Sequence, residues 1–159
     1  MSDTSLVRLE QVFPIIQKEL AAGRSVKIIP QGISMRPMIL GGRDQVVLSP
    51  LPKELKKYDL PFYQRDNGQF VLHRIVKADG EFTCIGDNQF KYEKGVRQDQ
   101  MIAITTGFVR KGKYHSVDEK GYRLYCCLWH WSRPVRGAVH QCIGIFKAIL
   151  RRIGKLFRK

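Results

Sequence analysis

The stretch Gln31-Gly32-Ile33-Ser34-Met35-Arg36-Pro37-Met38 is the part of the chain around which the rest is organised. Gly32 allows the backbone to turn sharply two residues before the serine. Pro37 fixes its own φ and drives the preceding residue toward extended geometry. A serine on a constrained bend after the apolar segment 25–30 is a candidate nucleophile. The simpler interpretation is that Ser34 only stabilises a turn, as serines in glycine-flanked turns usually do.

Short apolar runs alternate with turn signals after this bend. The turns are Asp66-Asn67-Gly68 and Ala78-Asp79-Gly80, and Pro61 indicates that its strand lies at a sheet edge. The predicted strands are residues 25–30, 45–48, 60–64, 70–76, 81–85, 100–110 and 114–117. This pattern predicts a mostly β fold with flanking helices, in which a coiled antiparallel β domain occupies residues 25–118.

Helical patterns flank the β domain on both sides. Within residues 1–24, apolar side chains recur at helical spacing from Ser5 to Ala22, and Pro14 either kinks this helix or starts a second segment. Residues 119–159 form a basic tail, and Pro134 is well placed at a helix start. The apolar face predicted for this tail helix comprises Val135, Val139, Cys142, Ile143, Phe146, Ile149, Leu150, Ile153, Leu156 and Phe157. Its polar face is purely basic.

Composition narrows the class of protein. A chain of 159 residues with 43% apolar residues is a folded protein of about one domain. The four cysteines, at positions 84, 126, 127 and 142, form no Cys-x-x-Cys pair. The sequence therefore predicts no zinc site, no disulfide framework and no cofactor, and it fits a reducing compartment.

The net charge of +14 is concentrated in the tail. Residues 121–159 hold nine Lys or Arg residues and no Asp or Glu, which predicts a polyanionic partner. A basic amphipathic helix is typical of segments that lie on an anionic membrane surface. Two alternatives stay open: the helix covers the β domain with its apolar face, or it binds nucleic acid or an acidic partner. Charged residues near the N-terminus exclude a signal peptide.

His73 is the candidate general base, because an unassisted serine hydroxyl is a poor nucleophile at neutral pH. It lies within the apolar run 70–76, where burying an imidazole is costly without a polar partner. A core histidine bonded to the backbone is the simpler interpretation of this position alone. Asp87 ends the strand that pairs with the His73 strand, so its carboxylate is placed to orient the imidazole. The alternative role of Asp87 is an Asx turn.

These residues also carry a resemblance. In order, Gly32-Ile33-Ser34-Met35-Arg36-Pro37, Tyr58-Asp59, His73-Arg74-Ile75-Val76 and Gly86-Asp87-Asn88 resemble the motif set of the signal peptidase and LexA-like serine peptidase superfamily. The matching region runs from about Val26 to about Arg110. The resemblance implies that Ser34 is the nucleophile. It implies that His73 is the base, as in the Ser-His branch of archaeal and endoplasmic-reticulum signal peptidases.

The resemblance leaves the supporting acid open, since both Asp87 and Glu93 match positions where such an acid occurs. It implies that the Ser34 amide belongs to an oxyanion hole. We also expect the residues around the serine to bind substrate: Pro30, Gln31, Gly32 and Met35. Lys77 is a weaker candidate base, because a lysine must be strongly desolvated to be neutral at pH 7.

The chain departs from the family pattern at two places. A charged amphipathic helix precedes the serine motif, where relatives that process secreted proteins have a membrane-spanning helix. The pair Tyr58-Asp59 stands where the family has Gly-Asp.

Two functions of different classes follow from the sequence. The first is a serine endopeptidase that cleaves an extended leader or signal-type peptide, with the basic tail on the anionic cytoplasmic membrane surface. Its partners are a peptide or preprotein substrate and that membrane, and its predicted location is cytoplasmic and peripheral. The second is a non-catalytic β-domain binding module whose tail contacts membrane or nucleic acid. Nucleic acid is the weaker partner, because the apolar face of the tail is too continuous for an electrostatic phosphate binder.

Overall fold

The computed structural model describes residues 9–156 and contains two antiparallel sheets with helices at both ends. The predicted fold of mostly antiparallel β structure with flanking helices is confirmed at this level. The predicted helix start at Ser5 and the tail residues 157–159 lie outside the described residues. The helices are α1 (Leu9–Ala21), α2 (Lys120–Trp131) and α3 (Arg133–Leu156), and the strands are β1 (Val26–Ile28), β2 (Gln45–Ser49), β3 (Pro61–Gln64), β4 (Phe70–Leu72), β5 (Arg74–Asp79), β6 (Glu81–Ile85), β7 (Glu93–Val96), β8 (Met101–Arg110) and β9 (Lys113–Ser116).

The larger sheet is built on β8. Its strand order is β1-β2-β8-β3-β4, and β9 also pairs with β8. Met101, Ala103 and Thr105 of β8 are buried while the residues between them are partly exposed, which is the period-two alternation of a β-strand. The strand predicted at residues 100–110 is therefore confirmed.

The prediction that Pro61 marks an edge strand is wrong. The strand β3 lies inside the sheet, between β8 and β4. Pro61 is its first residue and lies opposite Ile104 of β8. At the first position of a strand the missing N–H is tolerated, even in an internal strand.

The single strand predicted at residues 70–76 is two strands. The strand β4 belongs to the larger sheet, whereas β5 belongs to a second sheet with the order β5-β6-β7. His73 is the one residue between them. The chain thus passes from one sheet to the other at the predicted catalytic base, and a continuous apolar run in the sequence conceals this change.

The buried apolar residues form two cores. In the larger core, Ile16 of α1 and Tyr122 of α2 pack with residues of the sheet such as Val46 and Phe62. The smaller core contains apolar residues of β5, β6 and β7 together with Tyr63, which is fully buried. The helix α1 continues through Pro14 as one segment. Both β-sheets and the first two helices therefore form the support of the site described below.

The two C-terminal helices turn one face toward the β domain and expose the opposite face. Only Ser132, which has helical backbone angles, separates α2 from α3. We call the side chains that face the β domain the inner row: Tyr122, Cys126, Trp129, Arg133 and Arg136. We call the exposed apolar side chains of the other face the outer row: Leu124, Leu128, Trp131, Val135, Val139, Ile143 and Phe146. The first four of them each follow an inner-row residue by two positions, which turn a helix by about 200°, so the rows are on opposite faces.

Among residues 9–156, no helix combines the length and the apolar character needed to cross a bilayer. The structure also adds detail to the predicted basic helical tail. Within the predicted helical tail of residues 119–159, helix begins at Lys120, and Pro134 is the second residue of α3. The helix α2 contributes to the core, while the residues of α3 from 138 to 147 are exposed.

Candidate functional site

A cleft of about 410 Å³ opens between the serine turn, which we define as residues 32–38, and the end of β4. Ser34 and His73 both line it. The turn that follows β6, residues 86–89, closes one side with Asn88 and Gln89; we call it the Asp87 turn. Three segments that are distant in sequence thus meet at one opening.

The serine turn is bonded to the Asp87 turn. The backbone N–H of Asn88 donates to the Ser34 carbonyl over 2.8 Å, and the Asn88 side chain donates to the Ile33 carbonyl over 3.3 Å. A Cβ atom at Gly86 would stand 2.7 Å from the Ser34 carbonyl oxygen. A glycine is needed at that position because any side chain would push the two turns apart.

A buried polar cluster holds the other end of the serine turn. Arg110 donates to the carbonyls of Pro37 and Met38, the second over 2.6 Å. Its Nε lies 3.6 Å from a carboxylate oxygen of Asp44, which is fully buried. Asp44 also accepts a bond from the Leu40 amide over 2.9 Å. The backbone around Ser34 is therefore fixed from both sides.

His73 is buried, with 4% of its surface exposed. Its Nδ1 lies 3.4 Å from the Tyr63 hydroxyl and 3.4 Å from Oε2 of Glu93. Burial lowers the pKa of His73 and outweighs the charge of Glu93, which acts to raise it. The imidazole is therefore neutral at pH 7 and able to accept a proton.

Glu93, the first residue of β7, is held as a carboxylate. Arg65 donates two bonds of 2.6 Å to its two oxygens, and the Tyr63 hydroxyl donates one of 2.8 Å. Burial acts to raise the pKa of Glu93, but these hydrogen bonds outweigh burial and hold it below its ordinary value. A charged carboxylate therefore faces Nδ1 of His73.

Asp87 has a different partner. Both of its carboxylate oxygens accept bonds from the Arg74 guanidinium, over 2.9 and 2.8 Å, and both residues are buried. Arg74 also donates to the Tyr122 hydroxyl over 2.8 Å and to the Cys126 sulfur over 3.0 Å. Of the two acids left open by the sequence, the geometry places Glu93 against the histidine, whereas Asp87 neutralises Arg74.

The remaining predicted residues divide between the cleft and other places. Gln31 and Gly32 line the cleft. Met35 does not line the cleft and is buried in the larger core. Pro30 is not among the lining residues either; its carbonyl accepts a bond from the Gly42 amide over 2.8 Å. The alternative base Lys77 is exposed and pairs with Asp79 over 2.7 Å.

The departure at Tyr58-Asp59 has a visible consequence. Tyr58 has φ of +77°, in the left-handed region that glycine occupies easily. Its amide and the Asp59 carbonyl nevertheless bond to the backbone of Ile75, over 2.8 and 2.9 Å. Tyr58 therefore adopts a left-handed backbone conformation, and the segment stays bonded to β5.

Sequence reasoning missed Tyr63 and Arg65. They are two residues apart at the end of β3, so an extended backbone points both toward the same side. That spacing alone is too common to single them out. Only the pairing of β7 with β6 brings Glu93 to these two side chains.

Comparison with known proteins adds no assignment. A scan against protein-family models found no match to this chain, and a search of curated proteins found none either. The case for a function therefore rests on the residues and their arrangement.

Proposed function

We propose that the protein is a serine endopeptidase of the signal peptidase and LexA-like type, with Ser34 as nucleophile, His73 as general base and Glu93 as the acid that orients the base. The observation that carries the proposal is one cleft lined by both Ser34 and His73, with Glu93 within 3.4 Å of the histidine Nδ1. Neutral His73 and charged Glu93 are the protonation states that such a mechanism needs at pH 7.

In the proposed reaction, His73 transfers a proton at each step. Glu93 accepts the Nδ1–H of His73, which leaves Nε2 as the acceptor for the Ser34 proton. The Ser34 oxygen attacks the peptide carbonyl, and His73 then passes the proton to the leaving amine as the peptide bond breaks. Water, activated by the same imidazole, hydrolyses the acyl-enzyme and regenerates Ser34. Protonation of His73 during each step strengthens its contact with Glu93.

The substrate class is an extended peptide. The larger sheet ends in β1 on one side and β4 on the other, and the cleft is lined by residues 31–34, which follow β1, and by Phe70 and Val71 of β4. An extended chain placed there meets unpaired strand edges, and main-chain hydrogen bonds then position its scissile carbonyl. A leader or signal-type peptide, which is unfolded before cleavage, fits this requirement.

The test is labelling with a fluorophosphonate, which reacts with activated serines. Wild-type protein is expected to carry the adduct on Ser34, located by peptide mass spectrometry, and Ser34→Ala is expected to carry none. Ser25→Ala is the matched control, because Ser25 is exposed and its hydroxyl is hydrogen-bonded to the Ser49 hydroxyl over 2.8 Å. Absence of an adduct in folded wild-type protein, or equal labelling of Ser25, would leave the non-catalytic binding module as the better description.

We also propose that the outer row of α2 and α3 lies on an anionic membrane surface. Its seven side chains are each about half exposed or more, up to 84% for Trp131, and they form one face across both helices. No acidic residue occurs from 121 to 159. A second copy of the chain would bring two basic surfaces together, and nucleic acid would leave the apolar row uncovered. Anionic lipid offers both the charge and the apolar interior.

Flotation with lipid vesicles tests this surface. The protein is expected to float with vesicles that contain phosphatidylserine and much less with pure phosphatidylcholine. Combining Leu128→Gln, Val135→Gln and Phe146→Gln is expected to weaken binding by about tenfold or more, because each buried apolar side chain contributes about 1 kcal/mol or more. The control is Ile15→Gln, an equally exposed apolar residue on α1. Unchanged flotation of the triple variant, or binding to duplex DNA without flotation, would refute the membrane assignment.

A further inference from the structure

We propose that the inner row of the C-terminal helices completes the catalytic site, with Trp129 and Arg133 as positioning residues that hold the Asp87 turn against Ser34. The inference rests on the proposed peptidase function and adds to it residues from outside the region that resembles the peptidase family. Neither side chain lines the cleft, so their action reaches the nucleophile through the backbone.

The two side chains bind peptide groups on both sides of Asn88. The indole Nε1 of Trp129 donates to the Asp87 carbonyl over 2.7 Å, and a guanidinium nitrogen of Arg133 donates to the Gln89 carbonyl over 2.8 Å. The amide of Asn88, between these two carbonyls, donates to the Ser34 carbonyl. A displacement of the helix pair would thus be passed directly to the backbone of the nucleophile.

Arg133 is a buried cation, and the free-energy cost of burying its charge indicates that its contacts have a specific role. Its exposed fraction is 5%, and within residues 9–156 its hydrogen bonds are to the carbonyls of Gly86 and Gln89, not to a carboxylate. Burial lowers the pKa of its guanidinium below the ordinary value. A buried charge without a carboxylate partner is costly for the fold, and its observed contacts are to the turn that supports Ser34.

The packing around Trp129 is independent of its hydrogen bond. Its ring is stacked on Tyr125, with centroids 5.6 Å apart, and the Arg136 guanidinium lies 3.7 Å from its centroid. Trp129→Phe therefore keeps an aromatic ring in the same place and removes the donor to Asp87. The fold is expected to remain, while the Asp87 carbonyl loses the 2.7 Å bond from the indole and keeps the longer bond of 3.4 Å from Arg136.

The experiment compares Trp129→Phe with Trp131→Phe, the same substitution at an exposed position two residues further on. The rate of fluorophosphonate labelling of Ser34 is expected to fall about 10- to 100-fold in Trp129→Phe, since a misplacement of about 1 Å has effects of this size. The pH midpoint of labelling is expected to stay at the wild-type value, because His73 and Glu93 are untouched. Trp131→Phe is expected to react like wild type.

A second pair of variants covers the case in which Trp129→Phe is unstable. Arg133→Lys retains one donor and is expected to label faster than Arg133→Met, which retains none. Wild-type rates in Trp129→Phe, or equal rates in Arg133→Lys and Arg133→Met, would overturn the positioning role while labelling of wild type still supports the peptidase. If folded wild-type protein is not labelled, the peptidase proposal itself fails, and this inference fails with it.

Discussion

Replacing His73 with glutamine is expected to slow acylation of Ser34 by a factor of about 10⁴, the upper range for loss of a general base. Glutamine has a similar reach and fills a similar volume between Tyr63 and Glu93, but its amide cannot take a proton at neutral pH. The measurement is the second-order rate of fluorophosphonate labelling in excess reagent. The unfolding midpoint serves as a control for the integrity of the buried site.

The pH profile of the same reaction identifies the base. Burial lowers the pKa of His73 from the ordinary value of 6.5, and only the neutral imidazole accepts the serine proton. The wild-type rate is therefore expected to fall as the pH drops through a midpoint below 6.5 and to be level above it. His73→Gln is expected to lack this step. A wild-type midpoint above 6.5, or a variant that reacts at nearly the wild-type rate, would contradict the assignment of His73.

Replacing Asp87 with asparagine is expected to cost about 3–5 kcal/mol in the free energy of unfolding, the range for breaking a buried ion pair. Burial acts to lower the pKa of Arg74, but Asp87 outweighs it and keeps the pKa well above its ordinary value. A guanidinium is not deprotonated in proteins, so Arg74 stays charged and buried when its carboxylate partner is removed. Chemical denaturation of wild type and variant measures the difference.

Two further variants decide whether this loss comes from the ion pair. The double change of Asp87→Leu with Arg74→Met removes both charges and is expected to recover much of the stability. Glu93→Gln is expected to destabilise less, since Glu93 is partly exposed, and to slow acylation of Ser34. If Asp87→Asn were fully stable and slow in acylation, Asp87 would have to act on His73 and the roles of the two acids would be exchanged.

Local patterns predicted much of the framework. The alternation of β8, the turns at residues 66–68 and 78–80, and the helices at both ends follow from periodicity and from turn-forming residues close in sequence. The errors have a common cause. A short sequence window encodes neither the sheet to which a strand belongs nor its neighbours, so it predicts an edge position for Pro61 and one strand for residues 70–76.

Short sequence windows limit the prediction of the candidate site in the same way. The bend at residues 31–38 and the buried histidine singled out Ser34 and His73 as candidates, because each is unusual in its own surroundings. Asp87 and Glu93 could not be separated, since each local segment suits a carboxylate. The peptidase resemblance and the membrane surface remain predictions that the experiments above address.

The amino-acid order by itself determined the strands and helices, the constrained serine and the one-sided charge of the tail, because each depends on residues within a few turns of chain. The tertiary structure alone decided that Arg74 pairs with Asp87, that Glu93 faces His73, and that Trp129 and Arg133 bond to the Asp87 turn. Each of these contacts joins segments far apart in sequence. The physical reason is that a charged or polar group bonds to whichever partner the packing of the sheets and helices brings within reach.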